Sequence, residues 1–448
     1  MIRARYRRIA GALYGLGFLV GLLWILFPSP AAAQDEVLTL EAAIRIALVG
    51  NERAISADQQ YREADARLTQ ARAYFLPTLS ISGNYTRRPF EVQRIIGNQP
   101  LIVQSLNALS AAGSFSLNIF DSHSLPTLLQ ADAARSAQDF STTEAKRKLA
   151  FDVGNAFLAA LSTDRVMEAS KHRFDFSKQS LEAARARYSA GLVSVNDVTR
   201  AELDYATAEL GITQVQGQVE TTYNQLGFLL NAPTPKKLEV PDFLLRAADE
   251  APLNIEQLVS DAQNRRPDVN SLRMQAKAQH ALVVEPALKW LPTLALTGRY
   301  SYTNEAGLTG RNFNWNAGLS MSWSVFDGLA RNGSYSERTA LAYEADLNLR
   351  TALRKVDLDV HNAVSSLATY RAAVRQAAVA LDIAQKNATQ TAELYRQGIS
   401  SVLQVADANV QLFYAEVALV TQRYSLGTAY LNLESALGLD PLGKESRL

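Results

Sequence analysis

A short segment with a central glycine occurs twice in this chain, 207 positions apart. The copies are Arg187-Tyr-Ser-Ala-Gly-Leu-Val-Ser-Val-Asn-Asp-Val198 and Leu394-Tyr-Arg-Gln-Gly-Ile-Ser-Ser-Val-Leu-Gln-Val405. Glycine is the residue type that ends a helix in a left-handed conformation. The serine three residues later is a helix N-cap, and Asp197 or Gln404 completes a capping box. Each copy therefore predicts the tight turn of a helical hairpin, and the recurrence indicates an internal duplication.

Further matching segments keep the same order in both halves of the chain. They pair 38–44 with 253–259, 76–79 with 291–294, 82–85 with 297–300, 120–122 with 326–328, and 222–226 with 429–433. The offset falls from 215 to 206 between the two strand-like runs, so one loop differs in length. We therefore expect repeat 1 over 34–230, a linker over 231–252, repeat 2 over 253–440 and a tail over 441–448.

Both repeats follow the same predicted plan of helix, two strands and long helical hairpin. Pro77 and Pro292 end the opening helices, because proline cannot continue a helix. Residues 231–252 contain four prolines and are predicted to be a linker or a small mixed, equatorial region and not a helix. The predicted helices are 39–50, 52–75, 254–265 and 268–290, the strands 78–88, 111–120, 293–303 and 312–326, and the hairpins 127–230 and 331–438.

The N-terminus, residues 1–33, predicts a secretory signal peptide. Four arginines precede an apolar run over 9–27, and Ala31-Ala32-Ala33 is a small-residue cleavage site. An uncleaved membrane anchor is the alternative. Cleavage would leave 41 basic and 44 acidic residues, a balance that gives no indication of nucleic-acid binding. The chain contains no Cys, which excludes disulfides, thiolate zinc sites and a cysteine-linked lipid anchor.

The strand-like runs alternate apolar and polar residues. In the last run, alternate positions are apolar, among them Phe313, Trp315, Leu319 and Met321. The positions between them, beginning with Asn314, are asparagine, glycine or serine. Such alternation occurs in a soluble sandwich as well as in a membrane barrel. The length of about 9–13 residues and the Ser, Asn, Thr and Arg of the polar face favour a barrel with a wet lumen. Four strands are too few to close a barrel, so several copies must share one.

The long helices carry a heptad pattern. Apolar and small residues recur at alternating spacings of three and four along 153–181 and 360–388. This is the pattern of a coiled coil, and 64 residues in one helix would reach roughly 95 Å. A long buried helix of a globular protein fits the period but not this length.

Taken in order and twice, these motifs resemble the TolC family of bacterial outer-membrane efflux ducts. The resemblance rests on Leu-Pro-Thr-Leu followed by Ser/Thr-Gly-x-Tyr, on the Phe-Asp-Gly/Ser strand ends, and on the two glycine segments. It implies an α+β membrane protein: a homotrimer with a 12-stranded outer-membrane β-barrel in lipid, continued by a long periplasmic α-helical barrel. The implied partners are a periplasmic adaptor (membrane fusion) protein and an inner-membrane pump of the RND, ABC or MFS type.

The resemblance also assigns roles to individual residues. Adaptor docking falls on Tyr188, Gly191, Leu192, Val193, Ser194, Tyr395, Gly398, Ile399, Ser400 and Ser401. Gly and Ser at these positions could simply turn and cap the chain, whereas exposed apolar residues usually have a partner. Family members narrow the tunnel near the tips with acidic residues, and Asp175 and Asp382 are the candidates here. A solvated outer position for these two carboxylates is the alternative.

The sequence also bears on two other classes of function, an enzyme and a soluble scaffold. The four histidines lie apart without ligand spacing, and no phosphate loop or nucleophile elbow is present, so we expect no enzyme, no cofactor and no metal. A soluble periplasmic coiled-coil adaptor or structural spacer would share the hairpins but would not need the alternating strands. The sequence does not identify the cargo.

Overall fold

The computed structural model describes residues 37–96, 99–234, 237–250, 254–305 and 311–443, and the predicted signal peptide lies outside these ranges. The helices are α1 (Leu40–Gly50), α2 (Glu52–Ala73), α3 (Ser124–Ser189), α4 (Val195–Leu230), α5 (Asp242–Glu250), α6 (Ile255–Arg265), α7 (Pro267–Val283), α8 (Glu285–Leu288), α9 (Ala330–Arg396) and α10 (Val402–Ala436). The strands are β1 (Thr78–Arg87), β2 (Val92–Ile96), β3 (Gln99–Gln104), β4 (Asn107–Phe120), β5 (Thr293–Thr303) and β6 (Phe313–Ser322).

Two long helical hairpins, α3–α4 and α9–α10, dominate the molecule. Helix α3 has 66 residues and α9 has 67, so each reaches about 100 Å. The predicted heptad positions face inward: Val153 and Leu181 are buried in α3, and Val360 and Leu367 in α9. Helices α3 and α10 pack against each other and thus join the two hairpins. The structure therefore contains the helix length that the sequence predicted, which is too long for a helix buried in a globular protein.

Four strands form one antiparallel sheet in the order β1-β4-β5-β6. The register runs Thr78↔Ser116 between β1 and β4, and Tyr300↔Trp315 between β5 and β6. Each repeat contributes two neighbouring strands, and the repeats meet where β4 pairs with β5. Strands β1 and β6 are the edges.

The sheet departs from the predicted strand limits at one end. Strand β6 ends at Ser322 and does not reach 326 as predicted. Arg331 accounts for this, because its guanidinium binds the carbonyl oxygens of Ser324 (2.9 Å) and Val325 (3.1 Å) and takes them from the ladder. Trp323 also donates its indole N–H to the carbonyl oxygen of Trp290, at 3.1 Å.

A second, two-stranded sheet was missed by the sequence analysis. Strands β2 and β3 pair with each other and lie in the part of the sequence that connects β1 to β4. The change in offset between the repeats located this insertion only as a longer loop. In addition β4 begins at Asn107, which pairs with Arg87, whereas the prediction started the strand at 111.

Two helix predictions need correction. The prediction of one helix over 268–290 is wrong, because α7 ends at Val283 and the short α8 follows. Pro286 lies at this break and has no N–H to continue the helix. The prolines of the linker also do not exclude a helix: α5 begins directly after Pro241 and buries Leu244 and Leu245 against α10.

The core is divided into two main clusters. One gathers residues of α1, α3, α4 and α10 around Phe157, Leu226 and Leu431, and the other gathers α6, α7, α9 and α10 around Val360 and Leu367. Helix α10 contributes to both clusters. This shared helix fixes the two repeats relative to each other.

Candidate functional site: the hairpin tips, the helical wall and the sheet

The first hairpin tip is a helix end followed at once by a helix start. Gly191 has φ of 70°, and its N–H donates to the carbonyl oxygen of Tyr188 at 2.9 Å. The N–H of Leu192 donates to the carbonyl oxygen of Arg187 at 2.9 Å, which completes a Schellman motif. Ser194 and Asp197 then form a reciprocal capping box at the start of α4.

The second tip repeats this geometry. Gly398 has φ of 79°, its N–H donates to Tyr395 at 3.0 Å, and the N–H of Ile399 donates to Leu394 at 2.9 Å. Ser401 and Gln404 form the capping box that starts α10. The two predicted turns are therefore confirmed as matching structures.

The apolar residues of the tips are exposed. Leu192 is 74% exposed and Ile399 is 71% exposed, while Tyr188 is about half exposed. Val193 and Ser400 are half-buried. The turn and cap hydrogen bonds account for the glycines and serines, but they do not account for two exposed aliphatic side chains.

A contact between the two tips was not foreseen from the sequence. The guanidinium carbon of Arg187 lies 4.2 Å from the centre of the Tyr395 ring. Arg187 belongs to the last turn of α3 and Tyr395 to the last turn of α9, so this cation–π contact joins the two hairpins. The two residues are not equivalent in the repeats, and a sequence comparison of the repeats therefore does not pair them.

The two predicted constriction residues lie on solvent-accessible surfaces of their helices in the single chain. Asp175 on α3 and Asp382 on α9 are both exposed. Asp382 binds the ammonium group of Lys386, at 2.6 Å, one turn further along α9. The structure of one chain brings Asp175 and Asp382 into no contact with each other.

The two faces of the four-stranded sheet differ in chemistry. Paired registers place Leu79, Phe115, Leu296, Tyr300, Trp315 and Leu319 on one face. The opposite face carries serine, threonine and asparagine, and among the described strands its single charged residue is Arg299. On the apolar face Trp315 is 72% exposed and Ile81 is 92% exposed. A large apolar face without a covering element is unusual for a soluble monomer.

An ion pair ties the loops at the end of the sheet remote from the helices. Arg88, just after β1, binds the carboxylate of Glu305, just after β5. The backbone N–H of Ser105 donates to the same carboxylate at 2.7 Å. The hydrogen bond from Arg88 holds the pKa of Glu305 below its usual value, with a further contribution from Ser105. This pair connects the two repeats at their loops, as Arg187 and Tyr395 do at the tips.

Among the helices between residues 37 and 443, outside the gaps given above, none is both long enough and apolar enough to cross a membrane.

The long hairpins and the sheet with one polar and one apolar face define a class of bacterial outer-membrane channel subunit. The family model described as outer membrane efflux protein matches residues 43–232 and 258–439. These ranges make up more than half of the chain, and the chain therefore belongs to the outer membrane efflux protein family. The family model matches the chain twice, once in each half, which confirms the duplication.

Individual relatives agree with this assignment. The outer membrane protein TolC of Escherichia coli is 23% identical over 394 residues, which cover 83% of this chain and 76% of the relative. The probable efflux pump outer membrane protein TtgC of Pseudomonas putida is 24% identical over 414 residues, covering 89% and 82%. The structure of the Neisseria gonorrhoeae MtrE outer membrane channel matches with a TM-score of 0.76 at 17% identity, over 94% of this chain and 95% of that one. The TolC-like fold is thereby established.

Proposed function

We propose that this protein is the outer-membrane duct of a tripartite export system. In this role it conducts substrates passively across the periplasm and the outer membrane. The observation that carries the proposal is the four-stranded sheet with a polar and an apolar face, joined to helical hairpins about 100 Å long. The sheet suits a lipid-facing wall with a wet interior, and the hairpins suit a tunnel through the periplasm.

Closure of the barrel is argued from the edges of the sheet. Strands β1 and β6 each leave one row of N–H and C=O groups without strand partners, and such groups cost several kcal/mol each in lipid. With four antiparallel strands in one copy, β6 of one copy and β1 of the next are also antiparallel. Three copies supply twelve strands, so the proposed assembly is a homotrimer in outer-membrane lipid.

The alternative of a soluble adaptor or spacer receives no support. It would leave the apolar face of the sheet in water, since no described element of this chain covers it. The relatives reported above are named as outer-membrane proteins.

The proposed partners meet the duct at its tips. Leu192 and Ile399 offer exposed aliphatic side chains at equivalent positions of two rigid turns. A periplasmic adaptor with apolar residues on its own helical hairpins would bury them, and an inner-membrane pump of the RND, ABC or MFS type would supply the energy. We accordingly propose that the duct performs no enzymatic reaction and uses no cofactor.

We also propose that Asp175 and Asp382 line the narrow part of the tunnel. Rings of carboxylates favour cations over anions. The pairing of Asp382 with Lys386 reduces its share of this effect, so Asp175 is expected to contribute more.

Planar-bilayer conductance of the mature protein tests the function. A small, cation-selective conductance is expected, and Asp175→Asn and Asp382→Asn should lower the cation selectivity, Asp175→Asn more strongly. A folded protein that stays in buffer and never conducts would contradict the duct. Unchanged selectivity in both variants would contradict the constriction alone.

A further inference from the structure

A cavity of about 200 Å³ lies between the two hairpins of one chain. Helices α3, α4 and α10 line it, and it is partly open to solvent. Arg173, on its wall, lies roughly 24 Å along α3 from the end of that helix. Its apolar wall includes Phe176, Leu412 and Phe413. The remaining wall is polar and charged, and these groups decide what the cavity can hold.

Arg173 is held in place but retains hydrogen-bonding capacity. Its guanidinium lies 5.0 Å from the centre of the Phe413 ring and 3.6 Å from a carboxylate oxygen of Asp204. Its Nε atom is buried and has no hydrogen-bond partner among the described residues. The charges of Arg173 and Asp204 balance each other.

Glu416 adds a second carboxyl group to the wall of the cavity. Within the described ranges its carboxylate makes no hydrogen bond and no ion pair, and His172 is the nearby charged or titratable group that acts on it. Burial raises the pKa of Glu416, and His172 opposes this rise. Asp204 and Glu416 thus provide two carboxyl groups against the one guanidinium of Arg173, beside two aromatic rings.

We propose that this cavity binds a small organic cation with an aromatic body, whose ammonium group pairs with the Glu416 carboxylate. The rings of Phe176 and Phe413 suit the aromatic body. The Phe176 ring also favours a nearby positive charge, whereas the Phe413 ring already has Arg173 against it. The volume suits a ligand of about ten non-hydrogen atoms. All the residues that line the site belong to one chain, and the proposal does not rest on the export function.

Occupancy would connect the two hairpins. Phe176 belongs to the first hairpin, while Phe413 and Glu416 belong to the second. A ligand that contacts all three is expected to stabilise the arrangement of the hairpins seen here. The competing occupant is water, because polar cavities of this size commonly hold it.

Three probes of nearly equal shape separate these outcomes: phenylethylammonium, neutral 2-phenylethanol and anionic 3-phenylpropanoate. Each would be titrated into the full-length protein in a non-ionic detergent, with binding followed by ligand-observed NMR. We expect saturable binding of the cation with a dissociation constant of about 1 mM, the scale for so small a ligand. The neutral and anionic probes are expected to bind at least about tenfold more weakly, since they cannot pair with Glu416.

Two variants assign the binding to the cavity. Glu416→Gln keeps the side-chain shape and should weaken cation binding about tenfold, whereas Glu220→Gln, an exposed position on α4, should leave it unchanged. Ala169→Leu fills the cavity and should abolish binding, with circular dichroism showing that the helices remain. Equal binding of all three probes, equal binding by Glu416→Gln, or no saturable binding of the cation would overturn the proposal in favour of a water-filled cavity.

Discussion

Arg147 shows how single residues hold the two repeats together. It is 1% exposed, the least exposed of the charged side chains that the structure describes. It binds Glu144 through two nitrogens, at 2.8 and 3.0 Å, and donates to the carbonyl oxygens of Ser435 (2.8 Å) and Leu439 (3.2 Å). A positive charge at the C-terminal end of α10 also interacts favourably with the helix dipole. One side chain of α3 thereby fixes the end of the last long helix.

We expect Arg147→Ala to destabilise the protein by about 3–5 kcal/mol, because it leaves Glu144 buried without its main partner. Lys148→Ala is the control, since Lys148 reaches the same carboxylate at 3.5 Å but is 62% exposed and should cost at most about 1 kcal/mol. Thermal unfolding in detergent, followed by circular dichroism, compares the two. Equal losses would show that burial of Arg147 does not matter.

The tip glycines are required for their backbone conformation alone. No atom lies within 4 Å of a Cβ built on Gly398, so a substitution there meets strain only from its positive φ. We expect Gly398→Ala to weaken the turn by about 1–2 kcal/mol and to speed local amide exchange by about 5- to 30-fold. Hydrogen exchange of a peptide that covers 390–405 measures this change.

Gly217 provides the opposite control. It lies within α4, is exposed, and also has open space around a built Cβ. Gly217→Ala should therefore slow exchange in its helix, since alanine favours a helix interior by about 1 kcal/mol over glycine. The same sign of effect at both positions would contradict the assignment of the turn.

The contact between Arg187 and Tyr395 acts at the scale of the hairpins. A cation–π contact at an exposed site contributes about 0.5–1 kcal/mol. If the contact belongs to a closed arrangement of the tips, Arg187→Ala raises the ratio of open to closed channels about two- to fivefold. Open probability in planar bilayers measures this ratio.

Arg185→Ala is the matched control for Arg187→Ala. Arg185 pairs with Glu202 at 2.7 Å, and this pair joins α3 to α4 within one hairpin. Loss of that pair should leave the open probability unchanged. An equal effect of both variants would mean that general loss of positive charge, and not the contact between hairpins, controls opening.

Two neighbouring residues of β6 test which face of the sheet meets lipid. Leu319 lies on the apolar face and Ser320 on the polar face of β6. Leu319→Arg is expected to cost up to about 2–4 kcal/mol in the membrane, while Ser320→Arg is tolerated in a wet lumen. The yield of folded protein extracted from outer membranes distinguishes them. Equal yields would contradict the orientation of the sheet.

The elements that sequence analysis predicted well are those with local causes. The turns at Gly191 and Gly398 follow from capping residues, and the faces of the strands follow from alternation along each strand. Helix α5 was missed because the four prolines of 231–252 favoured a linker over a helix, although α5 itself contains no proline and buries Leu244 and Leu245. The contact of Arg187 with Tyr395 and the cavity beside Glu416 arise where separate repeats pack, and no local pattern records such packing.

At the scale of the whole molecule, one chain has several surfaces without a partner. Its sheet has two free edges and an exposed apolar face, and its hairpins expose two aliphatic tips. A trimer would pair the edges, lipid would cover the apolar face, and an adaptor would cover the tips. Each of these unsatisfied surfaces is thus explained by one partner of the proposed duct.

Disulfide cross-linking between β1 and β6 of neighbouring copies tests this account most directly, since the chain has no native Cys. The polar faces of the two strands should meet, so Asn84→Cys is combined in turn with cysteines at alternate positions of β6: Asn314, Asn316, Gly318, Ser320 and Ser322. One register should give a covalent trimer in oxidised outer membranes. Ile81→Cys with Asn316→Cys, which lie on opposite faces, should give none. A folded protein that forms no cross-link in any register, or that stops at a covalent dimer, would contradict a barrel shared by three chains.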